Sequence, residues 1–187
     1  MIKRIFDLMV VAIIGILFSP LILLTYLLVK LTSKGPAIYW SKRVGKKNQL
    51  FAMPKFRSMS LDTPAVATHL LTNPDSHLTP VGGFIRKTSL DELPQLWSIL
   101  VGDMSLVGPR PALYNQEDLI AMRSQLGIEV LTPGLTGWAQ VNGRDELDLQ
   151  TKVDFDYQYL QRQSLGFDLK ILWLTFLKVV RTEGVSH

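Results

Sequence analysis

Two adjacent carboxylates, Asp91 and Glu92, lie in the run Arg86-Lys87-Thr88-Ser89-Leu90-Asp91-Glu92-Leu93-Pro94-Gln95, and Gly108-Pro109-Arg110-Pro111 begins sixteen residues past Glu92. Acids to act and cations to let them approach another anion are what attack on a phosphate ester requires. Arg110 stands between two prolines, which restrict its backbone, and a guanidinium binds phosphate bidentately where lysine offers only a point charge. Lys55 and Arg57, in Lys55-Phe56-Arg57-Ser58-Met59, share a side of the chain if it is extended, and with Arg86 they complete a candidate phosphate-binding set. A plainer reading of the acids is open: Ser89-x-x-Glu92 and Thr88-x-x-Asp91 are capping boxes, and acids in a first helical turn complement its dipole. The two readings are compatible, because a carboxylate at a helix N-terminus stays ionised, as a nucleophile must. Mg2+ shared between a carboxylate and a diphosphate would relieve anion–anion repulsion.

Other chemistries fare worse. The chain has no cysteine, which removes thiol catalysis, disulfides and Cys-ligated zinc. His69, His77 and His187 form no metal-ligand spacing, and no Walker or GxGxxG phosphate loop is present. Asp154-Phe155-Asp156 matches the Asp-x-Asp by which many nucleotide-sugar glycosyltransferases hold a metal, but no nucleotide-binding βαβ pattern precedes it.

The elements that must position these residues begin with a long apolar segment. From Ile5 to Leu31 the only charges are Asp7 and Lys30, a run of 27 residues that would be about 40 Å long as a helix, against a hydrocarbon core of about 30 Å. Ser19-Pro20 interrupts it, and each arm alone is too short to span. Lys3 and Arg4 precede the run, and Lys30, Lys34, Lys42 and Arg43 follow it, so both ends carry the basic excess of a cytoplasmic flank. A helix that dips in and returns and a single span with a proline kink both fit. Residues 1–60 hold ten basic side chains and one acid, a local +9, within a chain of net +4. That front end suits anionic lipid or phosphorylated ligands; no nucleic-acid signature accompanies it.

Beyond Gly35-Pro36 the pattern predicts a hairpin over 37–53 turning at Gly45–Asn48, and a surface excursion over 60–81 with a turn of helix near 66–71. An amphipathic helix is predicted on Leu93, Leu96, Trp97 and Leu100, with helices over 116–126 and 150–161 and a loop over 133–138. The last apolar stretch, 165–181, is broken by Asp168, Lys170, Lys178 and Arg181 and is too short and charged to span. It reads as an interfacial amphipathic helix with Trp173 at headgroup depth, or as a core helix.

Lys3-Arg4, Phe6-Asp7, Ser19-Pro20, Gly35-Pro36, Lys55–Met59, Leu90–Gln95, Gly102–Pro111 and Pro133–Gly137 together, and in this order, resemble the bacterial sugar transferases, the monotopic phosphoglycosyl transferases acting on polyprenol phosphate, in their small catalytic-unit form. Ser98 stands where members often carry asparagine. The resemblance implies a mainly α fold with a short β-hairpin (α+β). Residues 1–34 would form a re-entrant membrane helix broken at Ser19-Pro20, and 35–187 a small cytosolic catalytic domain with interfacial amphipathic helices, the last at 165–181. It implies transfer of a sugar 1-phosphate from a UDP-sugar to undecaprenyl phosphate, with release of UMP, on the cytoplasmic face of the bacterial inner membrane. Asp91 would be the nucleophile that carries the phospho-sugar and holds Mg2+, Glu92 its acid/base or positioning partner, and Lys55, Arg57, Arg86 and Arg110 the phosphate ligands. Membrane lipids are implied partners; a homo-oligomer or contact with downstream glycosyltransferases is left open. Two other functions are carried beside this one: an Asp-x-Asp glycosyltransferase releasing UDP, and a non-catalytic membrane adaptor of a polysaccharide-assembly complex.

Overall fold

Proline cannot continue a helix ladder, and the N-terminal run breaks accordingly. In the computed structural model, which describes residues 2–64, 73–143 and 147–181, α1 covers Ile2–Leu17 and α2 covers Ser19–Thr32, bent by 63°. The non-helical residue is Phe18, one position before the expected Ser19. Ser19 and Pro20 open α2, where a missing N–H leaves no bond unmade. The Ile16 carbonyl, which Pro20 cannot serve, accepts instead from the Ser19 hydroxyl at 2.8 Å. No single helix among the described residues is long and apolar enough to cross a membrane, but this bent pair passes by length and composition. Its outward residues, among them Ile5, Met9, Ile13, Ile16, Leu23 and Leu31, are exposed and apolar, while Asp7, Val11, Thr25 and Val29 face inward.

The hairpin forms as expected and runs longer: β1 (Ile38–Val44) pairs antiparallel with β2 (Leu50–Phe56), Tyr39 opposite Lys55 and Arg43 opposite Phe51. α3 (Gly82–Lys87) leads into a 3-10 turn over Leu90–Gln95 and then α4 (Leu96–Val101). The expected apolar face of this stretch is only partly correct. Leu96 and Ile99 are buried, whereas Trp97, 56% exposed, and Leu100 point outward, because the 3-10 turn over Leu93 resets the helical phase.

The predicted loop at 133–138 contains a strand. β4 (Gly134–Thr136) pairs parallel with β3 (Ser105–Val107), followed by α6 (Trp138–Val141). Three-residue strands, one of them opening on Gly134, are too short to carry an alternation to read. α5 (Glu117–Gln125), α7 (Leu149–Arg162) and α8 (Leu165–Arg181) fall where periodicity placed them. The predicted turn of helix near 66–71 lies outside the described residues.

One core joins most of these elements. Met53, Leu96, Ile99, Leu106, Val107, Val153, Tyr159 and Ile171 pack with Val11, and Phe6, Val10, Ile14 and Ile22 of the N-terminal pair lean on the same cluster. Polar contacts reinforce the join. Lys3 pairs with Asp168 at 2.6 Å, Asp168 accepts from the Tyr159 hydroxyl at 2.7 Å, and Ser105 donates to Asp7 at 2.8 Å. Arg4 donates to the Ile99 and Leu100 carbonyls at 2.5 and 2.9 Å, two of the acceptors that the end of α4 leaves without a helical partner. The leading charges Lys3 and Arg4 therefore bind back onto the rest of the protein. On α8, Asp168 and Ile171 face inward and Leu169, Trp173, Phe176 and Val179 outward, an apolar outer stripe.

Candidate active site

Asp91 and Glu92 lie in the first turn of the 3-10 segment, with Pro94 inside it. The turn is entered through Ser89 at φ 56°, a left-handed conformation that a non-glycine residue adopts at a cost of about 1 kcal/mol or more. That conformation overturns both capping boxes. Ser89 makes no side-chain cap, and the Thr88 hydroxyl donates backward to the Phe84 carbonyl at 2.8 Å. Both carboxylates are thereby left to meet the hairpin.

Lys55 reaches them from β2. Its ammonium donates to Glu92 Oε1 at 2.9 Å and stands 3.7 Å from Asp91 Oδ2. Arg110 Nη2 donates to the same Glu92 oxygen at 3.0 Å. The two acids thus differ in kind. Burial alone would push Glu92 up, but Lys55 and Arg110, by charge and by hydrogen bond, outweigh it and hold Glu92 well below the usual carboxylate range. Asp91 has no hydrogen bond to its carboxylate among the described residues. Burial, helped by the charge of Glu92, raises it from 3.8 to about 6 against the pull of Lys55, Arg86 and Arg110. One acid is neutralised and fixed by two hydrogen-bonded cations; its neighbour is ionised at neutral pH and meets Lys55 only at 3.7 Å, without a hydrogen bond among the described residues.

The Pro109-Arg110-Pro111 turn that presents Arg110 is clamped at every carbonyl. Pro109 O accepts from the Gly134 N–H at 2.9 Å, Arg110 O from Arg123 Nη1 at 2.9 Å, and Pro111 O from Arg43 Nη1 at 3.2 Å. Three glycines make the approach achievable. A Cβ on Gly108 would lie 2.3 Å from Thr132 O, one on Gly134 2.1 Å from Gly108 N, and one on Gly137 2.1 Å from Gly108 O. Arg123 is itself oriented by a buried ion pair with Asp156, 2.9 Å at Nε and 2.5 Å at Nη2. This also removes the Asp-x-Asp metal reading. Asp156 is buried against Arg123, while Asp154, exposed two residues earlier on α7, accepts from Gln150; residues two apart on a helix do not share a face.

Of the six charged site residues expected from sequence, Lys55, Asp91, Glu92 and Arg110 meet directly, and the charge of Arg86, from the last turn of α3, acts on Asp91. Arg57 does other work. It is buried, donating to Pro36 O at 2.7 Å and to the Ser33 hydroxyl at 2.8 Å, which fastens the end of α2 to the end of the hairpin. Arg43 was missed. Burial and the repulsion of Arg110 lower it to about 10, with Glu92 and Tyr39 opposing; only its place on the Lys55 face of the hairpin could have signalled it.

Among the described residues no group of three or more His, Asp or Glu could hold a metal. Glu92 is hydrogen-bonded by two cations, whereas Asp91 meets Lys55 only at 3.7 Å and so is the acid of the pair better able to take a metal. Mg2+ commonly binds through one or two carboxylates plus substrate phosphates, so the donor set fits a metal shared with a diphosphate and no all-protein cage.

The chain belongs to the bacterial sugar transferase family, whose model matches residues 1–182. It is 42% identical to the undecaprenyl-phosphate galactose phosphotransferase of Salmonella typhimurium, over 97% of this chain and 41% of that protein. It is 39% identical to the UDP-glucose:undecaprenyl-phosphate glucose-1-phosphate transferase of Escherichia coli, over 95% of this chain and 40% of that one. The chain thus spans about two fifths of the length of these relatives. A shorter relative, described as the uncharacterized sugar transferase EpsL of Bacillus subtilis, is 40% identical over 99% of this chain and 90% of its own length.

Proposed function

We propose that this chain transfers a sugar 1-phosphate from a UDP-sugar to undecaprenyl phosphate, giving undecaprenyl-diphosphate-sugar and UMP, as the first membrane step of bacterial glycan assembly. The observation that carries the reading is the division of labour in the acid pair: an ionisable Asp91 whose carboxylate has no hydrogen bond among the described residues and lies 3.7 Å from Lys55, beside a Glu92 hydrogen-bonded by both Lys55 and Arg110. An Asp91 oxygen attacks the phosphorus that bears the sugar, and the bridging P–O bond breaks with its electron pair leaving on UMP. The phospho-sugar is then held on Asp91 as an acyl phosphate. An oxygen of undecaprenyl phosphate attacks the same phosphorus and returns the carboxylate. Lys55, Arg86 and Arg110 bind phosphate oxygens, and Glu92 holds Lys55 and Arg110 in register. Mg2+, held by Asp91 together with the donor diphosphate, would neutralise charge on the phosphate oxygens.

The bent α1–α2 pair is read as re-entrant, with the outer stripe of α8 in the interface, so that the site lies at headgroup level on the cytoplasmic face. Residues 1–34 are the anchor and 35–187 the catalytic unit of this reading. Incubation with UDP-sugars, Mg2+ and undecaprenyl phosphate should release UMP; release of UDP would mark sugar–oxygen cleavage and refute it. An adaptor predicts full function when Asp91 and Arg110 are both alanine. Tags at residues 1 and 187 should be reached from the same side of the membrane.

A further inference from the structure

The hairpin presents one face to the main core, and the cover stops short of its end. Tyr39, Ser41 and Arg43 of β1 alternate onto the face that carries Lys55, Met53 and Phe51 of β2, and directly opposed residues keep their Cβ atoms about 5 Å apart. Ser41 and Met53 are buried there and Phe51 packs against the core. Tyr39, on the same face, is 45% exposed. Its cross-strand neighbour is Lys55, whose ammonium meets Asp91 and Glu92. On this face the core therefore ends between Ser41 and Tyr39, beside the acid pair that Lys55 meets.

The Tyr39 ring has no hydrogen bond, ring stacking or cation–π partner among the described residues, and 45% of the residue is exposed. Its surroundings are cationic. Arg43 is held by the Ser41 hydroxyl at 2.9 Å and by Pro111 O at 3.2 Å, beside Arg110. Lys55, Arg86, Arg110 and Arg43 set four positive charges against the two of Asp91 and Glu92, a surplus suited to a diphosphate.

Displacement at phosphorus is roughly in line, so the leaving nucleotide departs opposite the attacking Asp91 oxygen. Arg110 meets Glu92 at 3.0 Å, and Arg43 beside it feels the charge of both Glu92 and Tyr39, which puts the Tyr39 ring on the Glu92 side of the acid pair. We propose that Tyr39 is the stacking platform for the nucleobase of the donor, at the end of the site from which UMP leaves. This rests on the nucleotide-sugar reading given above. An aromatic side chain accepts a base by its π-face, and removal of such a platform weakens binding by about tenfold.

The test is calorimetric titration of the full chain in nanodiscs with UMP and, separately, with inorganic pyrophosphate. Y39A should weaken UMP about tenfold and leave pyrophosphate within about twofold, and Y39W should restore UMP. Unchanged UMP affinity in Y39A would overturn the inference. So would a parallel loss of pyrophosphate, which would mark a structural role, or weakened UDP-sugar with UMP untouched, which would assign the ring to the sugar. If the unsubstituted protein binds pyrophosphate but not UMP, the donor reading itself falls and this inference with it.

Discussion

Asp91→Asn should abolish transfer and yet make the protein more stable. The Asp91 carboxyl is raised in the fold from 3.8 to about 6, chiefly by burial. Because the folded state holds the proton more tightly, the group's contribution to stability is full below the unfolded value, falls as pH rises through the window between 3.8 and about 6, and is constant above it. At 1.36 kcal/mol per pH unit, ionised Asp91 costs the fold about 3 kcal/mol at pH 7.5. Asparagine copies the protonated acid in shape and escapes that cost. It also strands no cation, since Lys55 keeps Glu92 at 2.9 Å. For a chain of this size the gain corresponds to roughly 6–12 °C in Tm. Thermal unfolding of both proteins in the same detergent, from pH 4 to pH 8 at one scan rate, reads it directly. The gap should be near zero at pH 4 and reach its plateau above about pH 6. Glu92→Gln is the internal control with the opposite sign: Glu92 is held low by two cations, so its contribution is present above the unfolded value and lost as pH falls. Its removal should destabilise on the order of 2 kcal/mol at neutral pH. An Asp91→Asn variant no more stable than the parent at pH 7.5, or a gain that persists undiminished at pH 4, would refute the reasoning.

Transfer should itself need ionised Asp91, so kcat/KM should fall below about pH 6 with a slope of one proton. Lys55→Met should move that acid limb upward, because Lys55 is the largest charge opposing the rise of Asp91; a merely structural lysine would lower rates without moving the limb. Arg123→Met should destabilise by about 3–5 kcal/mol by leaving Asp156 buried and unpaired and should raise KM for the UDP-sugar as the Arg110 turn loosens, with Arg123→Lys intermediate. Gly108→Ala should reduce both Tm and activity, since the new Cβ would meet Thr132 O at 2.3 Å. Asp154→Ala, at the surface of α7, should leave UMP release unchanged, where an Asp-x-Asp metal site would lose it.

Much of the site was legible because its members are marked by type and by rigid neighbours. Asp91, Glu92 and Arg110 sit beside prolines and glycines whose shapes are local, and Lys55 lies at a readable strand position. What stayed hidden was decided by tertiary contacts. Arg57 and Lys55 look alike two residues apart, yet successive odd positions past the strand end need not keep one face; Arg57 turned to Ser33 and Pro36. The capping boxes failed at one torsion, the left-handed φ of Ser89, which no spacing announces. β4 reads as loop because its Gly134, with Gly137 just past it, serves the close approach to Gly108, a requirement of two distant segments. Arg43 looked like one more basic residue flanking the apolar run, and only the clamp on Pro111 distinguishes it.

The first seven residues have a consequence for how the protein can be handled. Lys3, Arg4 and Asp7 hold Asp168, the end of α4 and Ser105, so α1 is a buttress and no leash. A truncation at residue 34 would leave Asp168 and Tyr159 without their cation, strip Val11 out of the core and unmoor α4, which directly follows the turn carrying Asp91. Solubilising the protein by deleting its most apolar segment should therefore yield an unfolded chain, and grafting a foreign tether in its place should not restore it. The segment that would fix the height of the site above the bilayer is also the one that closes the fold beneath it.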